Sequence, residues 1–297
     1  MSTSPNTIKA GAGKNQRSVF VRRAPLRFAV IAICVLWFLP TLGLLVSSLR
    51  DARDITQTGW WTALLAPWNE HWTLQSYTQV LGGENMANAF LNSLIVTIPS
   101  TVIPITVAAF AAYAFAWMRF PLRRTLFLVV VALLVVPLQM SLIPVLEIYN
   151  KLGITNSFLG VWLAHTSFGL PLAIFLLYNF ISQLPGDLFE TASIDGATHF
   201  QMFTRVVLPL SVPALAAFAI FQFLWVWNDL LVSLVFLSAN ADQSVMTLEL
   251  SRLVGGRGQQ WHLLTAGAFV TMLLPVLVFV ALQRYFVRGL LSGSVKG

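Results

Sequence analysis

The sequence predicts an all-α membrane protein with six transmembrane helices, because its composition is apolar, its charges are clustered and its apolar stretches have the length of membrane spans. Of the 297 residues, 57% are hydrophobic and only 10% are charged, whereas about 25% of an average soluble domain is charged. So few charges cannot cover a water-facing surface, and most of the chain must therefore face lipid or other helices. A transmembrane β-barrel would show polar and apolar residues alternating over about ten residues, and the sequence has no such segments.

Six stretches are nearly free of charge, and each is long enough to cross about 30 Å of hydrocarbon as a helix. They are Phe28–Leu49, Asn85–Met118, Thr125–Leu146, Leu152–Gly186, Val206–Ala241 and Gly258–Gln283. The alternative for the first stretch is a secretory signal, but the apolar core of a signal has about 7–15 residues and precedes a small-residue cleavage site. We therefore expect an uncleaved first helix.

The distribution of Lys and Arg predicts the orientation. With the N-terminus inside, the inner segments hold 13 of these residues and the outer segments hold 5, which is the bias expected of a membrane protein with both termini in the cytoplasm. We expect residues 1–27 to form a cytoplasmic, largely disordered tail and residues 28–297 to form one six-span domain. Membrane topology also explains the net charge of +7, so we predict no nucleic-acid partner.

The predicted outer loop from Arg50 to Met86 is rich in tryptophan, with Trp60, Trp61, Trp68 and Trp72. Tryptophan at this density beside a membrane is typical of the interfacial belt. The same residues, within a polar rim, would also suit a surface for an external partner. The two interpretations are compatible.

The predicted cytoplasmic loop at 184–209 is the most informative segment, and its pattern predicts two short helices joined by a glycine corner. Asp187 and Glu190 have the spacing of a capping box, as do Thr198 and Gln201. Gly196 suits the left-handed position that ends a helix.

Bulky apolar residues in the same loop predict a docking surface. The segment should be exposed to water, yet it contains Phe189, Phe200 and Phe203. Exposed apolar groups on a well-capped helix are typical of a site that binds another protein.

The loop closely resembles the EAA loop of permeases from binding-protein-dependent ABC importers. Glu190 and Ala192 are followed by Gly196 and, about a dozen residues later, by Leu208-Pro209. Further matches are Asn92-Ser93, Phe120-Pro121, Leu184-Pro185 and Trp227-Asn228, and together they resemble the six-span permease of the carbohydrate (maltose-type) branch. Thr191 stands where the middle alanine of the motif is usual, and threonine fits the same helix face.

The resemblance implies a permease subunit in a bacterial inner membrane, with no enzymatic activity of its own. It implies a homologous sister permease, an extracytoplasmic sugar-binding protein and two ATPase subunits, which would bind the ATP and Mg²⁺, so no cofactor is expected in this chain. The implied substrate is a di- or oligosaccharide such as an α-glucoside. The residues expected to couple to the ATPase are Glu190, Ala192, Asp195, Gly196, Phe200 and Phe203.

A candidate substrate path is indicated by Asp229, which interrupts the fifth apolar stretch after Trp225, Trp227 and Asn228. A carboxylate at the bilayer centre costs about 2.5–3.5 kcal/mol, so it should face a cavity or a partner, unless it lies at the outer end of the helix and is simply wet. Indole rings and polar groups suit the C–H faces and hydroxyls of a sugar. The resemblance tempers this assignment, because the sister permease would make most substrate contacts and Asn228 would then be structural.

Two other classes of function are weaker alternatives. A membrane enzyme would need catalytic residues within its spans, and the sequence shows no Ser/His/Asp or Cys/His set, while His71, His165, His199 and His262 lack metal-ligand spacing. A secondary transporter or channel should carry intramembrane acids for ion coupling or inverted repeats, and neither is evident.

Overall fold

The computed structural model describes residues 24–83, 86–237, 241–255 and 260–292. The predicted tail at 1–27 therefore lies almost entirely outside the described residues. The chain divides into two compact units, Met1–Leu74 and Gln75–Gly297.

The first unit contains one long helix and a short folded segment. Helix α1 spans Ala24–Ser48, contains Pro40 and exposes most of its apolar side chains. Two short helices follow, α2 at Ala52–Gln57 and α3 at Trp60–Leu65, and then a 3₁₀ turn at Pro67–Asn69. The exposed apolar surface of α1 is what a helix in lipid should present.

The second unit is a helical bundle. Its helices, in chain order, are α4 Gln75–Gly83, α5 Met86–Trp117, α6 Arg123–Leu133, α7 Leu138–Leu152, α8 Phe158–Ile181, α9 Gly186–Ile194, α10 His199–Met202, α11 Leu208–Trp227, α12 Leu231–Leu237, α13 Met246–Gly255 and α14 Trp261–Ser292. One turn of π-helix at Phe203–Val207 joins α10 to α11.

The described helices confirm the predicted fold class. Five helical segments are long and apolar enough to cross a membrane, and a bent pair makes a sixth. Pro99 and Pro104 in α5, Pro171 in α8 and Pro275 in α14 lie inside helices. Membrane helices tolerate such residues where neighbouring groups satisfy the freed carbonyls.

Two spans differ from the continuous helices that their apolar stretches predict. The third is broken between Leu133 and Leu138, and its halves α6 and α7 meet at 103°. Pro137 stands before α7 as its N-cap residue, and proline cannot continue a helix from the preceding turn. The fifth ends at Trp227, and the remainder of its apolar stretch forms the separate short helix α12.

Small residues allow the central helices to approach closely. Among the described helices, α5 and α8 make the most extensive contact. The buried Ala108, Ala109, Ala112 and Ala173 belong to one apolar cluster. Lipid is as apolar as the helices and supplies no hydrophobic driving force for their association. Small side chains favour the contact because they let the two backbones approach closely. Phe189 and Phe203 belong to the same cluster, so the predicted coupling loop is packed directly onto the bundle.

Candidate coupling loop and substrate path

The first helix of the 184–209 loop begins one residue earlier than the predicted cap. Helix α9 starts at Gly186 with Pro185 as its N-cap residue, and no side chain caps it. The predicted Asp187–Glu190 capping box is therefore wrong. Asp187 instead lies inside the first turn, where a carboxylate interacts favourably with the positive end of the helix dipole.

The glycine corner forms as predicted. Gly196 has φ +75°. The N–H of Ala197 donates to the carbonyl of Ala192 at 2.9 Å, and that of Gly196 donates to Ser193 at 3.1 Å. These two bonds make a Schellman motif. The predicted second capping box, Thr198 with Gln201, is also confirmed at the start of α10.

Two of the three loop phenylalanines are buried, so the prediction that all three are exposed is wrong. Phe189 stacks on Trp117 with ring centroids 3.7 Å apart, and Phe203 stacks on Phe110 at 4.4 Å. Their rings attach the loop to the end of α5, because burying each ring removes a large apolar area from water. Phe200 is 66% exposed, and Ile194, which sequence reasoning did not single out, is 87% exposed.

Three of the other four predicted coupling residues are exposed on the loop. Glu190, Asp195 and Gly196 are exposed, and Ala192 is half-buried. The structure therefore brings together an outward surface, formed by Glu190, Ile194, Asp195, Gly196 and Phe200, and an inward anchor, formed by Phe189 and Phe203.

A polar contact adds to this anchor. The hydroxyl of Tyr113 lies 3.0 Å from Nδ1 of His199, and the Tyr113 ring also packs against Phe203. Sequence reasoning missed this pair because its members are 86 residues apart. The π-helical turn at Phe203–Val207 follows immediately, and such turns often occur at functional sites.

The four residues of the candidate substrate path have different environments. Trp227 is 2% exposed, donates from Nε1 to the carbonyl of Thr271 at 3.0 Å and contacts Phe90 and Phe223. It is thus packed among α5, α11 and α14. Trp225 is half-buried, and Asn228 is exposed with its amide donating to Leu224.

Asp229 lies beyond the end of α11 rather than in the middle of a helix. Its Oδ2 accepts hydrogen bonds from the backbone N–H groups of Val232 at 2.9 Å and Ser233 at 3.3 Å. Since these amides open α12, the carboxylate caps that helix. Oδ2 also lies 3.9 Å from Nε2 of His165.

His165 is the residue near this site that sequence reasoning did not identify. Its side chain is fully buried, neither ring nitrogen has a hydrogen-bond partner, and its ring meets Trp225 edge to face at 5.2 Å. No spacing in the sequence connects it with Asp229. Within the described residues, no group of three His, Cys, Asp or Glu side chains is placed to hold a metal ion.

The segment after α1 is organised around a buried ion pair. Arg50 and Glu70 have side chains 1% and 7% exposed, with Nε and Oε2 2.6 Å apart. The guanidinium also donates to the carbonyls of Asp54 and Thr58 and to the Thr58 hydroxyl. These bonds use most of the five donors of the arginine, so Arg50 connects the C-terminal end of α2 to Glu70, which follows the 3₁₀ turn.

Other contacts support the same segment. Trp60 packs on Gly43, where a Cβ atom would lie 2.8 Å from the indole nitrogen, so glycine is required for this approach of α3 to α1. The backbone N–H of His71 donates to the Asp54 carboxylate at 3.0 Å, and this bond lowers the pKa of that carboxyl. Trp61, Trp68 and Trp72 remain exposed.

Comparison with known proteins gives consistent matches over most of the chain. Residues 91–292 match the family model described as "Binding-protein-dependent transport system inner membrane component". The osmoprotective compounds uptake permease protein of Synechocystis sp. is 56% identical over 95% of both chains. The alpha-glucoside transport system permease protein of Rhizobium meliloti is 44% identical, over 93% of this chain and 99% of that protein.

A solved structure shares the fold. The bacterial ABC transporter that imports the acidic polysaccharide alginate contains a chain with a TM-score of 0.69 to this one, at 18% identity. The match covers 94% of this chain and all of that chain.

Proposed function

The chain belongs to the family of binding-protein-dependent transport system inner membrane components, and we propose that it is the permease of an ABC importer for sugars, as the names of several relatives suggest. We propose further that it forms half of the translocation pathway for a di- or oligosaccharide such as an α-glucoside. In this proposal a homologous sister permease forms the other half. ATP is hydrolysed by two partner subunits on the cytoplasmic side. Family membership does not favour the alternative of a secondary transporter or channel.

The geometry of the 184–209 loop is the observation that carries the proposal. In the proposal, the exposed residues Glu190, Ile194, Asp195, Gly196 and Phe200 would seat on an ATPase subunit. Phe203 and the Tyr113–His199 contact connect that surface to the packed ends of the spans. A movement of the docked ATPase would thus act on α5 and α11 through these contacts. Ala192 supports the corner through its carbonyl.

The region around Asp229 is the proposed part of the path in this chain. Asn228 and Asp229 bring polar side chains to the break between α11 and α12, and the half-buried Trp225 lies in the last turn of α11 before them. The packing of Trp227 gives it a supporting role, since its indole N–H is already satisfied by Thr271. Sugars combine hydroxyls with apolar C–H faces, so this composition suits them.

The proposed orientation places both termini and the 184–209 loop in the cytoplasm. This orientation follows from the 13 to 5 distribution of Lys and Arg. The Trp-rich segment then lies outside, where an extracytoplasmic sugar-binding protein would deliver the substrate. A related alginate importer has been solved in complex with a sugar-bound periplasmic protein, which supports a partner of this kind.

Uptake by the reconstituted complex tests the proposal. We expect proteoliposomes that hold the permease pair and the ATPase subunits, with ATP inside and the binding protein outside, to accumulate a radiolabelled α-glucoside. Uptake should require both ATP and the binding protein and should persist when a protonophore dissipates the proton gradient. Uptake driven by the proton gradient without ATP would contradict the proposal. Preferential uptake of glycine betaine would contradict the sugar assignment alone.

A further inference from the structure

Three arginines surround a cavity where α5 ends and α6 begins. The cavity has a volume of about 400 Å³ and opens to the surface. It is lined by Arg119, Phe120, Leu122, Arg123, Arg124 and Thr125. These lining residues are distant in sequence from both the 184–209 loop and Asp229, and neither of those sites uses them.

No described side chain balances the positive charge of the cavity. No acidic side chain lines it. Within the described part of the chain, none of the three arginines forms an ion pair, and Arg123 makes one hydrogen bond, from Nη1 to the carbonyl of Met118 at 2.9 Å. Arg119 and Arg124 are exposed and Arg123 is half-buried, so the three guanidinium groups form a basic patch that attracts an anion.

The chemistry of the lining favours a phosphate group. Guanidinium groups bind phosphate oxygens through two parallel N–H donors. Helix α6 also begins here with no side-chain cap, since its N-cap residue is Leu122, and the free N–H groups of a first turn add donors of the same kind.

An apolar stripe that leaves the cavity distinguishes a lipid from a free phosphate. Leu122 lines the cavity and is 70% exposed, and Leu126, Val129 and Leu133 follow on one face of α6 with exposures of 46%, 52% and 50%. Their spacing of three and four residues makes a continuous stripe along the helix. Leu128, which lies off this stripe, is also exposed, at 65%, so α6 presents a wide apolar surface, as half of a membrane span should. An acyl chain can lie along that surface, whereas an inorganic ion would not contact it.

We propose that Arg119, Arg123 and Arg124 bind the headgroup phosphate of an anionic phospholipid, with an acyl chain along Leu126, Val129 and Leu133. Basic pockets at the ends of transmembrane helices bind such headgroups in other membrane proteins. In the proposed orientation the site faces the cytoplasmic leaflet. It does not depend on which sugar the importer carries.

Photolabelling of the whole importer in vesicles tests the site. Phosphatidylglycerol with a photoreactive group in its acyl chain should label the peptide that contains residues 122–133, and phosphatidylcholine with the same group should label it weakly. The triple variant R119Q/R123Q/R124Q should lose phosphatidylglycerol labelling at this peptide by at least about fivefold, since each arginine near an anionic surface contributes a factor of roughly that size.

A charge-preserving variant and competing ligands distinguish a lipid site from a phosphate site or a protein contact. R119K/R123K/R124K keeps the charges that set the topology but lacks the bidentate donors, so we expect weakened, not absent, labelling. Equal labelling by the two lipids would overturn the proposal, as would labelling that the glutamine variant leaves unchanged. Displacement by millimolar inorganic phosphate would show a free-phosphate site instead. Crosslinking of residues 119–124 to an ATPase subunit in place of lipid would show a protein contact. Because the readout is labelling, failed sugar uptake leaves this test interpretable.

Discussion

A Gly196→Val substitution is expected to abolish sugar uptake while the chain remains in the membrane. Gly196 has φ +75°, a backbone conformation that costs an ordinary residue about 1–2 kcal/mol and is a clear outlier for a β-branched one. Relief of that strain would break the two hydrogen bonds of the Schellman motif. The outward surface at Ile194 and Phe200 would then lose its fixed relation to the spans.

Two matched variants separate coupling from general strain. Gly153 has φ +70° at the end of α7, and an added Cβ there would meet no atom within 4 Å, so Gly153→Val introduces the same backbone strain outside the loop. We expect it to retain uptake and ATPase binding. Gly196→Asn should retain much of the activity, because asparagine tolerates the left-handed region. Normal uptake by Gly196→Val, with the ATPase subunits still copurifying, would show that the corner does not couple.

A Glu70→Ala substitution is expected to unfold the segment that follows α1. It leaves the guanidinium of Arg50, 1% exposed, without its carboxylate. Removing one partner of a buried ion pair costs about 3–5 kcal/mol because the remaining charge is uncompensated. That cost should exceed the stability of two helices of 6 residues each, since isolated helices this short are not stable in water.

Limited proteolysis measures this effect. Cleavage at Arg53 should become much faster in Glu70→Ala, while Glu147→Ala, which removes an exposed carboxylate elsewhere, should behave as wild type. The double variant R50M/E70L should recover part of the protection, because apolar side chains of similar volume can replace a buried pair. Equal protection of Glu70→Ala and wild type would show that the ion pair does not hold this segment.

Local patterns predicted much of this structure. The lengths of the charge-free stretches identified the spans. The glycine corner and the capping box of Thr198 and Gln201 follow from residues that are close in sequence. The break in the third span has a local signal in Pro137, but hydropathy alone does not detect it. The Asp187 cap failed because Pro185, as N-cap, starts the helix earlier.

Contacts between distant residues could not be predicted from the sequence. The burial of Phe189 depends on Trp117, and the burial of Phe203 depends on Phe110, so the side of the loop that each ring occupies is decided by tertiary packing. The approach of His165 to Asp229 likewise exists only once α8 lies beside the break after α11. The apolar character of Phe189 and Phe203 was visible in the sequence, but the surface that covers them was not.

The central claim, that the 184–209 loop is the contact with the ATPase, is tested most directly by crosslinking from Ile194. In a chain with Cys34 replaced by serine, a cysteine at position 194 should crosslink to an ATPase subunit of the assembled importer, and the efficiency should change on ATP binding. A cysteine at the exposed Gln57 should give no such product. Crosslinking to the ATPase from position 57 but not from position 194 would contradict both the coupling loop and the proposed orientation.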